Sequence, residues 1–250
     1  MMLQVTKQKE QEKNLIKFDE ELHSYTQLDN NERYTSVTTF IKKFQKKKDW
    51  YGIATKYAIK HGGTPEEWLK TWENTKNKAG DKGTKFHEKK EELFRGLEAS
   101  KEKYLGVHDV HASPEKIYGK YSLDLSELKP GVYSELMLYS HKYRLAGQAD
   151  EVIIHPNKTF EINDYKTSKT IDKKSFYGKE GYEYMTAPVE KLQDCNWNHY
   201  SLQLSLYAKL LEEFGYKCKK LTIEHIVWPH HNIMRVNYMR KEIEAMLETI

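Results

Sequence analysis

Three stretches with a two-residue hydrophobic period lie close together in the second half of this chain. Residues 132–141, 143–155 and 159–167 alternate apolar with polar positions, and residues 155–158 (HPNK) give a turn signal between the last two. A period of two puts alternate side chains on one face of a sheet, so we predict three successive β-strands. A chain with this centre folds around a sheet and not as a helical bundle.

Segments whose apolar residues have the spacing of a helix precede these strands. Residues 50–77 have a helical pattern that breaks at Gly62-Gly63, where Thr64 would be an N-cap and Pro65 the first residue of the next turn. A further helix is predicted to open at residues 81–84 (DKGT), with Phe86 on its apolar face.

The order of elements after the strands defines the fold class. Residues 197–214 carry leucines on one stripe and end at Gly215, residues 219–228 read as a fourth strand, and the last dozen residues look helical. We therefore predict an α/β fold with a central mixed β-sheet flanked by helices and a helical N-terminal part.

The first 80 residues have a different pattern. Residues 18–39 predict a small hairpin with its turn at 29–31, after which Ser36 or Thr38 would cap a helix running through a lysine cluster. We divide the chain into residues 1–80, the hairpin and helical part, and residues 81–250, the core, within one compact unit.

Composition excludes several classes of protein. No run of 18 apolar residues occurs, so no transmembrane helix is expected, and the N-terminus lacks the apolar segment of a signal peptide. Two cysteines, Cys195 and Cys218, exclude a disulfide framework, a four-cysteine zinc site and a four-cysteine iron–sulfur cluster. We expect a cytoplasmic protein without membrane contact.

Two acidic residues and a lysine are predicted to converge at the edge of the sheet. Asp164 and Lys166 are two apart on the third strand and therefore share a face, and counting back from the turn brings Asp150 beside Asp164. Two close carboxylates repel unless a cation such as Mg²⁺ or Mn²⁺ lies between them. The alternative is a buried Asp–Lys ion pair that only joins two strands.

Four other polar residues are candidates for the same region. His87 lies near the predicted helix start, Glu135 lies on the first strand, and Gln203 and Tyr207 share one face of the later helix. The alternatives are a surface or core histidine, an exposed strand position and a helix flank facing solvent, respectively.

Five short motifs occur in an order typical of one nuclease family. They read GTKFH (83–87), Glu135, GQAD (147–150), DYK (164–166) and QLSLY (203–207). This set resembles the RecB-like branch of the PD-(D/E)XK nuclease superfamily, which carries Gly-x-x-x-His, a strand Glu, Gly-x-x-Asp, Asp-x-Lys and Gln-x-x-x-Tyr. The resemblance covers about residues 80–230 and implies a restriction-endonuclease-like core.

The N-terminal part adds a second likeness. His23-Ser24-Tyr25 followed by residues 34–38 (YTSVT) is similar to the opening of phage exonucleases and of the mitochondrial genome maintenance exonuclease. Other members of the branch hold an iron–sulfur cluster on four cysteines, and this chain departs from that subgroup because it has only two.

The resemblance implies a Mg²⁺- or Mn²⁺-dependent DNA exonuclease. Asp150, Asp164, His87 and the backbone carbonyl of Tyr165 would bind the metal, with Glu135 as a further catalytic group. Lys166 would activate the attacking water or hold the phosphate. Gln203 and Tyr207 would position Lys166 and the DNA backbone.

A lysine cluster provides the candidate DNA path. Lys42, Lys43, Lys46, Lys47 and Lys48 put five positive charges in seven residues, although the net charge of the chain is only +4. The alternative is a solvated helix end. Four aromatic residues of the N-terminal part are candidates for stacking on bases, with the hydrophobic core as their alternative: Tyr51, Tyr57, Trp68 and Trp72.

The expected role is in replication, recombination or repair, with single-stranded DNA ends as substrate. A helicase or a single-strand-binding protein is the expected partner. We expect the protein to be phage-encoded and to act in the host cytoplasm. Two other functions stay open. One is a structure-specific or sequence-specific endonuclease of the same superfamily, and the other is an inactive DNA-binding replisome protein.

Overall fold

A mixed sheet forms the centre of the protein. The computed structural model describes residues 15–104, 108–112, 120–178 and 181–250, and within them the sheet has eleven strands. These strands are β1 (Ile16–Asp19), β2 (Ser24–Gln27), β3 (Arg33–Ser36), β4 (Lys103–Tyr104), β5 (His108–His111), β6 (Lys120–Tyr121), β7 (Gly131–Ser140), β8 (Leu145–Ile154), β9 (Thr159–Lys166), β12 (Lys217–Val227) and β13 (His230–Val236). They run in the order β13-β12-β9-β8-β3-β2-β1-β6. Strand β7 pairs with β8 and with β5, and β5 also pairs with β4.

Helices cover both faces of the sheet, which confirms the α/β class with a large mixed sheet. The helices of the described residues are α1 (Val37–Lys42), α2 (Trp50–His61), α3 (Pro65–Ser100), α4 (Asn196–Glu212) and α5 (Arg240–Leu247). A two-stranded hairpin, β10 (Tyr177–Gly178) with β11 (Gly181–Tyr182), lies outside the sheet. Val152 and Ile154 belong to the main core with α4, whereas Ile153 packs with Phe94 of α3 on the other face.

The three central strands confirm the alternation in the sequence. β7, β8 and β9 are consecutive antiparallel strands, and β12 adds to β9 in parallel after the crossover through α4. The leucine stripe of α4 is fully buried, because Leu202, Leu206 and Leu210 each have 0% exposure. The end of β9 thereby lies beside the N-terminal part of α4, where Lys166 contacts the ring of Tyr200.

The long helix α3 differs from the prediction. Thr64 caps it through a capping box with Glu67, and Pro65 begins it as expected, but the helix continues for 36 residues without a new start at 81–84. The Thr84 hydroxyl, which would have served a cap, instead donates to the carbonyl of Gly80 inside the helix (3.2 Å). The proposed boundary at residues 80 and 81 therefore falls within one helix.

The N-terminal strands and one later strand also differ in detail. Residues 16–36 form three antiparallel strands, and β3 joins the main sheet by pairing with β8. Ser36 caps α1 as predicted, but that helix ends at Lys42, so the later lysines lie in the following loop. The prediction omitted β13, because this edge strand is exposed along most of its length and has no apolar alternation.

In the described part of the chain, each helix is too short or too polar to cross a bilayer.

An ion cluster around Glu161 ties β9 to the start of β12 and gives the first testable prediction. The Glu161 carboxylate lies 2.7 Å from Lys219 Nζ, 3.3 Å from Lys220 Nζ and 3.1 Å from His155 Nε2. Burial opposes ionisation, but these partners lower the pKa of Glu161 to about 2. The ionised Glu161 therefore stabilises the fold fully at pH values above the pKa that this residue has in the unfolded chain. The stabilisation is lost as the pH falls towards 2.

We expect Glu161→Gln to lower the free energy of unfolding at pH 7 by about 1 kcal/mol, less than the pKa alone implies because water screens the exposed lysines. Urea titrations at pH 7 and pH 3 measure the effect. The difference from wild type should shrink at pH 3, and Glu190→Gln, at an exposed position, is the matched control. An equal loss at both pH values would contradict this account.

Candidate active site

The candidate site lies at the point along β8 where its pairing partner changes from β3 to β9. On the edge opposite β7, Leu145 and Ala146 pair with β3, whereas residues 151–154 pair with β9. Residues 147–150 of β8 lie between these two ladders. Side chains from the end of β9 and from α3 meet β8 at this opening.

Asp150 and Asp164 are neighbours across the opening, as the turn at 155–158 predicted. The register pairs Glu151 with Asn163, which places Asp150 next to Asp164. Asp150 Oδ2 accepts the backbone N–H of Tyr165 at 2.6 Å. Both aspartates are buried, with 9% and 1% exposure, so their charges lie largely out of water.

His87 and Glu135 complete a compact group with Asp150. His87 Nδ1 lies 3.2 Å from Glu135 Oε1 and 3.6 Å from Asp150 Oδ1. One ligand atom from each of the three residues falls within 4.8 Å of the others. Glu135 has a left-handed backbone (φ 50°) within β7, opposite Asp150, and such strain in a non-glycine residue is typical of functional sites.

The charges of this group oppose one another. Burial and the charge of Asp164 raise the pKa of Asp150 well above its usual range, although His87 and Lys166 act in the other direction. Burial alone would lower the pKa of His87, but the hydrogen bond to Glu135 and the charges of Asp150, Glu135 and Asp164 raise it to about 9. The pocket therefore favours an additional positive charge.

Lys166 lies beside this group and pairs with Asp164. Its Nζ is 2.5 Å from Asp164 Oδ2 and 4.8 Å from the ring centroid of Tyr200, on the first turns of α4. Burial opposes its charge, yet Asp164 and Asp150 raise the pKa of Lys166, so the side chain is cationic. Asp164 Oδ1 is buried and has no hydrogen-bond partner among the described residues.

The donor set fits a small divalent cation. Two carboxylates and an imidazole converge within reach of one ion, and hard oxygen donors suit Mg²⁺ and Mn²⁺. The free Oδ1 of Asp164 is a further oxygen at the edge of the group. Of the four predicted ligands, His87 and Asp150 lie in this group, Asp164 pairs with Lys166, and Tyr165 adjoins the group through its backbone N–H, which donates to Asp150. Glu135, predicted as a further catalytic group, is the third member of the cluster.

Tyr165 connects the site to helix α3 on the opposite face. Its ring lies against Phe86 (5.6 Å between centroids) and under the Lys90 ammonium (4.7 Å), and its hydroxyl donates to the buried Glu151 at 2.6 Å. This network holds the segment of α3 that carries His87. Sequence reasoning missed Glu151 and Lys90, because each looks like an ordinary charged residue on its own element.

Gln203 and Tyr207 contact each other, with Gln203 partly and Tyr207 fully buried. Gln203 Nε2 donates to the Tyr207 hydroxyl at 3.1 Å, and Tyr207 is 3% exposed. A Cβ added at Gly147 would lie 2.7 Å from a ring carbon of Tyr207. The glycine of the GQAD motif therefore leaves room for the tyrosine of the QLSLY motif, and Tyr200 contacts Lys166 from the same helix.

We expect Gly147→Ala to lower the free energy of unfolding by about 1–3 kcal/mol, because the methyl group overlaps the Tyr207 ring. Urea unfolding measures the loss. The loss that Gly147→Ala causes should be smaller in a Tyr207→Leu background, which lacks the ring, and unchanged in a Tyr207→Phe background, which retains the overlapping carbon. Equal losses in the wild-type, Tyr207→Leu and Tyr207→Phe backgrounds would contradict the contact.

The N-terminal motifs lie close to this centre. Tyr25 is 4% exposed, and burial together with the charge of Glu135 raises its pKa, so the motif tyrosine belongs to the surroundings of the acidic group. His23 packs edge-on against Phe18 in the β1–β2 turn, and Ser36 caps α1.

The lysine cluster lies on the surface near the start of α4. Lys42, Lys43, Lys46 and Lys47 are exposed. Lys42, Lys46 and Lys47 line a hollow of about 580 Å³ with Trp50, Asn196 and His199. The structure thus places these cations at the end of α4 that also carries Tyr200.

The helical aromatic residues mainly contact one another. Tyr57 lies 4.6 Å from Trp68 and 5.5 Å from Trp72 between ring centroids, Trp68 Nε1 donates to the Gly62 carbonyl, and the Tyr51 hydroxyl donates to Glu66. These contacts join α2 to the start of α3. Tyr51 and Tyr57 nevertheless stay 55% and 39% exposed, so they are not core residues, and base stacking by the four rings stays a prediction.

No protein family model, curated protein or solved structure matches this chain.

Proposed function

We propose that this protein is a divalent-metal-dependent deoxyribonuclease, of the PD-(D/E)XK type that its motifs resemble, with single-stranded DNA ends as its substrate. The observation that carries the proposal is the group formed by His87, Glu135 and Asp150 beside the Asp164–Lys166 pair. This site combines three donors for a cation with a partly buried ammonium within one opening of the sheet. A purely structural ion pair would not require the histidine and the strained glutamate.

The residues of the chain have distinct roles in this proposal. His87, Glu135 and Asp150 would hold Mg²⁺ or Mn²⁺, which when bound supplies positive charge for the phosphate and for an attacking water. Asp164 orients Lys166 through the 2.5 Å contact, and Tyr200 packs on its ammonium. Lys166 then stabilises negative charge on the scissile phosphate or orients the water.

The preference for the ends of single-stranded DNA is proposed from the motif likeness, and it has a test of its own. Linear and covalently closed circular single-stranded DNA would be incubated with the protein and Mg²⁺, with EDTA as the metal-free control. The proposal expects loss of linear DNA only, and none in EDTA. Cutting of circles would indicate the endonuclease alternative, and intact DNA of every form with Mg²⁺ and Mn²⁺ would contradict nuclease activity.

A further inference from the structure

A second aromatic surface lies apart from the catalytic group and is open to solvent. Phe176, Tyr177 and Tyr184 flank the β10–β11 hairpin with 70%, 68% and 45% of their surfaces exposed. They line a groove of about 970 Å³. Neighbouring rings with this exposure are costly in water and usually mark an interaction surface.

Cations line the same groove. Lys46 and Lys56 face it from the lysine loop and from α2. Lys46 also lines the hollow of about 580 Å³ together with Lys42 and Lys47, so the groove and the hollow lie on either side of this lysine. Within the described residues, none of these four lysines lies within 4 Å of a carboxylate, so their charges are available to an anion.

The groove leads towards the proposed catalytic group. The backbone N–H of Thr186 donates to the Phe44 carbonyl (2.7 Å), and that of Lys46 donates to Asp194 (3.0 Å), which fixes the lysine loop against the segment after the hairpin. Asn196 and His199 at the start of α4 line the hollow, and the next residue, Tyr200, contacts Lys166.

We propose that the exposed rings of Phe176, Tyr177 and Tyr184, with Lys46 and Lys56, form a binding surface for single-stranded DNA. Unpaired bases stack on exposed aromatic rings while lysines neutralise the phosphates, and this combination is typical of single-strand grooves. Paired bases in a duplex have no free faces for the rings. That the strand continues to Lys166 rests on the proposed function, whereas binding at the surface does not.

The test is binding of fluorescein-labelled oligo(dT) in EDTA, measured by anisotropy, so that no cleavage interferes. Phe176→Ala with Tyr177→Ala should weaken binding about 30-fold or more, since stacking on each ring contributes at least about 1 kcal/mol and about 1.4 kcal/mol is tenfold. Phe176→Tyr with Tyr177→Phe retains both rings and should bind like wild type. Lys46→Ala with Lys56→Ala should weaken binding and reduce its salt dependence, whereas Lys217→Ala, at the opposite end of the sheet, should not.

Three results would refute the proposed binding surface. It is wrong if the double alanine variant binds oligo(dT) as tightly as wild type, if wild type binds a duplex of equal length better, or if wild type does not bind at low salt. Thermal melting of each variant checks folding. A wild type that binds in this ring-dependent way without cleaving DNA would refute the nuclease and leave the surface standing. Ring-dependent binding combined with cleavage that the alanine pair does not change would refute the continuation of the strand to Lys166.

Discussion

Lys166→Ala is expected to lower metal-dependent DNA cleavage about 10²- to 10⁴-fold, the range for loss of a positioned acid–base group. The reason is geometric: Lys166 is the cation at the opening, held by Asp164 at 2.5 Å and covered by the ring of Tyr200. Binding of single-stranded DNA should change little, because the exposed lysines remain. Cleavage rates under single-turnover conditions measure the effect.

Two further proteins separate chemistry from folding. Lys166→Ala leaves Asp164 buried without its partner, so Lys166→Met combined with Asp164→Asn removes both charges and should melt near wild type while remaining inactive. Lys169→Ala, at an exposed position three residues later, is the matched control and should retain activity. Wild-type cleavage by either Lys166 variant would refute the role of this side chain.

Asp150→Asn should abolish the stabilisation that a divalent metal gives the protein. At a metal concentration about 100 times the dissociation constant, the wild type should melt about 5 °C higher than in EDTA. Without metal, the variant should be at least as stable as wild type, because asparagine still accepts the Tyr165 N–H and no longer repels Asp164. Melting curves with and without Mn²⁺ give both quantities.

Asp81→Asn, an exposed position on the helix that carries His87, is the control for Asp150→Asn and should keep the metal-dependent shift. The two substitutions make the same chemical change in different surroundings. If Asp150→Asn keeps the full shift, Asp150 is not a ligand. If the wild type shows no shift with any divalent metal, the whole group fails as a metal site.

The acidic and basic residues of β8 and β9 could be placed from the sequence because strands have a strict period. Asp164 and Lys166 share a face by the period of two, and the turn at 155–158 sets the register that brings Asp150 beside Asp164. The leucine stripe of α4 was likewise located from a regular period, in this case that of a helix. Each of these features depends on a local pattern and, for Asp150, on one short turn.

Other parts of the site depend on long-range packing that no local pattern encodes. Glu135 reaches His87 through a left-handed backbone that alternation in a strand does not predict. Tyr200 meets Lys166 because α4 crosses the end of β9, whereas the motif had pointed to Gln203 and Tyr207. The continuation of α3 through residues 81–84 was missed because glycine and threonine there resemble a helix start.

The proposed nuclease depends on His87, Glu135 and Asp150 binding one divalent cation together. Anomalous diffraction from crystals of the protein soaked in Mn²⁺ would show where the ion binds. We expect an anomalous peak within bonding distance of all three side chains. A fully soaked crystal with no peak there, or with Mn²⁺ bound only by other residues, would contradict it.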